Sequence, residues 1–127
     1  MLHDLLSRYV SHVEGEIRKL KDAYVERYEE EILAVNRVNL RVRVRFWSGY
    51  LLELNEAIIV EEGRLTHLGY RYHLQDKQNN LVFRYDNTPH FPNLGGFPHH
   101  KHLPDGVCGA GGPSILNVLE EARLLAQ

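Results

Sequence analysis

Residues 38–63, VNLRVRVRFWSGYLLELNEAIIVEEG, decide the fold class. From Val38 the apolar positions recur every second residue, with Leu40, Val42, Val44 and Phe46 alternating with Arg41, Arg43 and Arg45. Successive side chains of a strand leave opposite faces, so this period belongs to a strand with one buried and one solvated face. Ser48-Gly49 supplies a tight turn, Tyr50 to Val60 a second strand, and Glu62-Gly63 the next turn. Leu65 to Gln75 makes a third strand, Asp76 to Asn80 turns, and Leu81 to Asp86 makes a fourth. Strands joined by such short turns form an antiparallel meander.

The flanks read differently. Leu2, Leu5, Leu6, Tyr9, Val13, Ile17 and Leu20 recur at three- and four-residue steps, the stripe of an amphipathic helix that Gly15 interrupts at modest cost. Ala23 to Val35 supports two readings. Tyr24, Tyr28 and Ile32 would continue the stripe and three consecutive glutamates favour helix, while the aromatic and β-branched content allows a strand. At the other end Ser114 is a fitting N-cap after Pro113, and Ile115, Leu116, Val118, Leu119, Leu124 and Leu125 give a closing helix. The expected architecture is α+β: an antiparallel meander of four or five strands, an N-terminal helix, a short C-terminal helix and a His-rich loop after the last strand.

At 127 residues, one domain over 1–127 is the simplest organisation. No apolar run approaches the roughly 20 residues of a membrane span, and no signal-peptide pattern opens the chain. Cys108 is the sole cysteine, which rules out an internal disulfide and suits a reducing cytoplasm. The net charge of −2 argues against an indiscriminate polyanion binder, but residues 64–102 carry five Lys/Arg against two Asp/Glu and six of the eight histidines. An anionic partner would bind the middle of the chain.

Face matching places the polar groups of that middle. In the third strand Leu68, Tyr70, Tyr72 and Leu74 point one way, and His67, Arg71 and His73 the other; in the fourth, Arg84 and Asp86 oppose Phe83 and Tyr85. Two registers keep the faces consistent. One sets Arg71 against Arg84, like charges across a ladder; the other, with a two-residue loop at Gln78-Asn79, sets Arg71 against Asp86 and His73 against Arg84. The second is expected, since Asn79 tolerates the positive φ of such a turn.

The fourth strand runs straight into RYDNTPHFPNLGGFPHHKH (84–102), which holds four histidines among three prolines and two glycines. His100 and His102 project to one side of an extended backbone and His99 to the other. With His90 or Asp86 they could ligate zinc or another divalent metal, leaving a position for water. Alternatively the histidines cleave RNA without a metal. That reaction needs a base for the 2′-hydroxyl, an acid for the leaving 5′-oxygen and a cation for the phosphorane, the last from Arg84, Arg71 or Lys101. Each histidine taken alone is adequately explained by hydrogen bonds to an irregular loop, and Arg71–Asp86 by a surface ion pair; the density of His90, His99, His100 and His102 is not. One nearby carboxylate and no cysteine ligand favour a site without a metal cofactor.

YRYHLQD (70–76), RYDNTPHFPNL (84–94) and FPHHKHLPDG (97–106), followed by a short helix, resemble the TumE-type family of prokaryotic toxin–antitoxin proteins. The resemblance extends loosely through RVRFWSGYLLELNEAIIV (43–60) and tilts residues 23–34 towards a strand. It implies a small toxin encoded beside an antitoxin that binds it. Carried over residue by residue, it singles out Tyr72, His73, Arg84, Asp86, Asn87, His90, His99, His100 and His102. Together these readings lead to the toxin of a type II pair that acts on RNA as a metal-independent endoribonuclease. The catalytic candidates are His73, Arg84, Asp86, His90, His99, His100 and His102, with Arg71, Tyr72, Asn87 and Lys101 binding substrate. The competing reading is a non-catalytic, metal-stabilised module, ligated by His90, His100 and His102, that docks a protein partner. Neither involves a membrane, and both leave self-association open.

Overall fold

The computed structural model describes residues 1–89, 91 and 93–127. Helix α1 (Asp4–Arg18) is followed by seven strands, β1 (Ala23–Ala34), β2 (Arg37–Phe46), β3 (Leu51–Glu61), β4 (Arg64–Gln75), β5 (Leu81–Asp86), β6 (His100–Leu103) and β7 (Gly106–Gly109), and by helix α2 (Ile115–Leu125). The strands form one sheet in sequential order, each antiparallel to the next. The α+β meander is as expected, with more strands than four or five.

Two of the added strands come from the segment read as a loop. His100–Leu103 pairs with β5 and Gly106–Gly109 closes the hairpin. Four polar-alternating residues carry too weak a period to register as a strand, and they become one because β5 would otherwise present an open row of backbone donors and acceptors. Residues 23–34 are also a strand. Glu29 stands opposite Arg41, and Glu26 bonds both Arg43 and Arg45, so the acidic run complements the arginines of β2. Cross-strand pairing overrides the helical propensity of consecutive glutamates.

Both helices lie on one face of the sheet. Val13 and Ile17 of α1 and Ile115, Val118, Leu119 and Ala122 of α2 are buried against Leu40, Val42, Val44, Leu52, Leu54, Tyr72, Leu74 and Phe83, while Leu6 and Val10 of α1 are buried with Val38, Ile58 and Val60. His3 caps α1 by accepting the Leu5 N–H, and Ser114 caps α2 by accepting that of Asn117. Leu116, Leu124 and Leu125 are exposed, because α2 turns Ala122 and Ala126 to the core instead.

The β4–β5 register is the expected one: Arg71 pairs with Asp86 and His73 with Arg84. The turn holding it is longer than two residues. Asn79 takes the positive φ, and Asp76 accepts the N–H groups of Gln78 and Asn80. A compensating irregularity at Leu74/Gln75 keeps the faces in phase.

Candidate functional site

The open face of the sheet carries two adjacent rows of polar side chains. Cross-strand pairing lines up Arg41, Asn55, Arg71, Asp86 and His100 in one row, and Arg43, Glu53, His73, Arg84 and His102 in the next. Each row crosses five strands at about 4.8 Å per step. The arginines of β2 that look like ordinary solvated positions are thus continuous with the histidines of β6. A shallow cleft of about 460 Å³ on this sheet, lined in part by Arg27, Arg41, Arg43, Asn55 and Arg71, extends it towards β1.

At the β5–β6 end, Asp86 and His100 are both buried. Nε2 of His100 lies 2.7 Å from Oδ1 of Asp86, and Nε2 of His102 3.5 Å from Oδ2. The same Oδ1 accepts the Thr88 N–H at 3.1 Å, which fixes the carboxylate at the exit from β5. His100 Nδ1 sits 3.1 Å from the Pro98 carbonyl, and since a carbonyl only accepts, that nitrogen donates. The Phe91 ring packs edge-on against both imidazoles, its centroid 5.1 Å from His100 and 6.1 Å from His102. His102 reaches solvent, and burial is the largest cause holding its pKa below the usual imidazole value, with the Asp86 charge opposing.

Arg84 is held from the side. Its Nε donates to His73 Nδ1 at 3.3 Å, and His73 Nε2, then the protonated nitrogen, donates to the Gln75 side-chain oxygen at 3.0 Å. His73 therefore orients the guanidinium, and burial with the nearby Arg84 and Arg71 cations keeps its own pKa low. Arg71 is exposed and makes no ion pair among the described residues.

Other candidates stand elsewhere. Lys101 is on the helix face, where Nζ bonds Glu121 at 2.8 Å and lies over the Tyr85 ring. His99 Nδ1 bonds the Tyr70 hydroxyl at 2.8 Å beneath α2. Tyr72 is buried with its hydroxyl 2.5 Å from Glu56. The Asn87 side chain accepts the Tyr70 N–H at 3.0 Å and so braces β4. Period-two alternation puts residues 99 and 101 on the opposite side from 100 and 102, so four neighbouring histidine-loop residues cannot share one site. His90 lies outside the described residues.

His67 is also displaced from the polar face. The pairing slips between Ala57 and Ile58, so Gly69 faces Ala57 and His67 faces Ile58, with Leu68 as the extra residue. One inserted residue inverts every side chain before it. His67 consequently meets Glu56 at 2.8 Å under α1, and Leu68 is exposed. Glu56, with its side chain fully buried, also accepts from Tyr9, whose ring edge meets His67. Sequence reasoning missed this carboxylate, although a glutamate at a core position in Leu52-x-Leu54-x-Glu56-x-Ile58 is the signal that marks it.

The family model described as Toxin TumE matches residues 13–123, from the middle of α1 to the last turns of α2. The chain belongs to the TumE toxin family. No curated protein and no solved structure matches it. The match spans every strand of the toxin, so both polar rows, and Glu56 with Tyr72 and His67, fall within the family region, while Tyr9 precedes it. In this TumE chain no described helix is long and apolar enough to cross a membrane.

Proposed function

We propose that this toxin belongs to a type II pair and cleaves RNA on the open face of its sheet, with a cognate antitoxin protein as its partner. The observation that carries the reading is the alignment of Arg71 and Arg84 beside Asp86, His100 and His102 on a face that neither helix covers. Cleavage through the neighbouring 2′-hydroxyl requires a proton acceptor, a proton donor and positive charge for the phosphorane. Arg84, oriented by His73, and the exposed Arg71 suit the phosphate, since a guanidinium binds two phosphate oxygens in parallel. The Asp86–His100–His102 group is where the proton chemistry would take place. Arg41 continues the positive track for the flanking strand, whereas Arg43 is ion-paired to Glu26, and the cytoplasm, where RNA is met, suits the free, exposed Cys108.

The test is induced expression alone and with the neighbouring gene, scoring growth and RNA integrity, followed by the purified protein on RNA. Wild type alone should arrest growth and fragment RNA, and co-expression should restore both. Arg84→Ala should stay folded by circular dichroism and leave RNA intact. Growth arrest with undamaged RNA, or full cutting by Arg84→Ala, would overturn the ribonuclease reading.

A further inference from the structure

The tautomer of His100 has a consequence for what the buried cluster holds. Its Nδ1 hydrogen is committed to the Pro98 carbonyl, so Nε2 carries either a lone pair or the proton of an imidazolium. A lone pair 2.7 Å from a carboxylate oxygen is repulsive, and the contact requires positive charge between the two atoms. A proton would have to lie on the N–O line. Nε2 is instead buried with no aligned hydrogen bond, although Asp86 is in contact. A cation with bonds of its own length resolves this, because it sits off that line and touches both atoms.

We propose that Asp86, His100 and His102 bind one divalent metal ion of the zinc class. Each offers one ligand atom, a carboxylate oxygen or an imidazole nitrogen, and these atoms all lie within 4.8 Å of one another. Tetrahedral zinc with bonds of about 2.0–2.2 Å sets ligand atoms about 3.3 Å apart. Here His100 stands 2.7 Å from Oδ1 and His102 3.5 Å from Oδ2 of the same carboxylate, and side-chain rotation would draw the three ligand atoms, now within 4.8 Å, to that spacing. The Nδ1–H to carbonyl bond is the arrangement that fixes a metal-binding imidazole and raises its basicity. Two imidazoles with one carboxylate select zinc, cobalt or nickel over magnesium and calcium, which take oxygen. Counting one carboxylate and no cysteine in the sequence argues against a metal; the register of β5 and β6 reverses this by stacking Asp86 directly opposite His100, with His102 two residues on. Three protein ligands leave a position for water, whose pKa on zinc falls to about 7. That water would supply the base for RNA cleavage, a role that rests on the proposed function, whereas the binding itself does not.

The experiment uses tag-free, full-length protein stripped of metal, titrated with Zn²⁺ against a chromophoric chelator and with Co²⁺ by visible absorption. One ion should bind per chain, with the d–d bands of a low-coordinate cobalt site. Asp86→Asn and His102→Ala should each weaken Zn²⁺ binding by roughly ten-fold or more, while His99→Ala and His67→Ala leave it unchanged. His102 is partly exposed, so its variant keeps the readout valid even if His100→Ala fails to fold. Zn²⁺ binding that is absent in wild type, or undiminished in both Asp86→Asn and His102→Ala, overturns the site. RNA cleavage by protein shown to be metal-free overturns the metal's role in cleavage and keeps the ribonuclease; one tightly bound Zn²⁺ with no RNA cut keeps the metal and removes the ribonuclease.

Discussion

Replacing Glu56 separates the two polar clusters by their consequences. Its carboxylate accepts hydrogen bonds from the hydroxyls of Tyr9 (2.8 Å) and Tyr72 (2.5 Å) and lies 2.8 Å from Nε2 of His67. Bonds to a charged acceptor contribute about 1.5–3 kcal/mol each, and stranding a buried hydroxyl costs about 1–3 kcal/mol. Tyr9 and His67 are partly exposed and regain water, so Tyr72 suffers most. Glu56→Ala should therefore destabilise by about 3–5 kcal/mol, with the cavity adding to the lost bonds. At about 4 °C per kcal/mol for a chain of this size, the melting temperature should fall by about 12–20 °C. Glu56→Gln keeps the volume and one acceptor and should lose about half as much. Chemical denaturation of Glu56→Ala, Tyr72→Phe and the double variant gives the coupling, expected at about 1.5–3 kcal/mol. Additive single effects would mean that the Tyr72 hydroxyl does not depend on Glu56. Because Glu56 faces the helices and Asp86 the open face, folded Glu56→Gln should still arrest growth. A folded, stable Glu56→Gln without toxicity would refute the placement of function on the open face.

His73 should titrate by NMR below the ordinary 6.5, chiefly because it is half-buried and also because Arg84 and Arg71 repel its proton against the pull of Gln75 and Glu53. Folding then disfavours the protonated ring, so the stability this group contributes is whole above about pH 6.5 and is lost as pH falls towards its folded pKa; Arg84→Ala should raise the midpoint, and an unchanged midpoint would dissociate the pair. Asn87→Ala removes the acceptor for the Tyr70 N–H beside the Leu68 bulge and should cost about 1–2 kcal/mol in urea denaturation. Gly109→Ala would drive a methyl into the Gly95 backbone, so it should cost about 1–3 kcal/mol and raise hydrogen exchange over 94–98; wild-type exchange there would show that this arm is not packed on β7.

The arrangement of β2 to β5 was legible in the chain because period-two alternation is a local property and each strand repeats it long enough to be counted. The Arg71–Asp86 pairing was legible too, since the alternative register sets two arginines opposite each other. Local rules failed where a neighbour supplied the decisive energy. Residues 23–34 support helix and strand alike by themselves, and the arginines of β2 across the ladder decide for the strand. His100–Leu103 is too short to declare itself and is completed by the hydrogen-bonding edge of β5. The sequence alone established that histidines, arginines and one aspartate crowd a short segment. The tertiary structure decided which of them meet: strand alternation sends His99 and Lys101 under the helices and His100 and His102 to Asp86, and one bulged residue turns His67 to Glu56. A side chain's face depends on the count of residues back to the last paired position, and a single unpaired residue, which leaves no trace in the composition, reverses it.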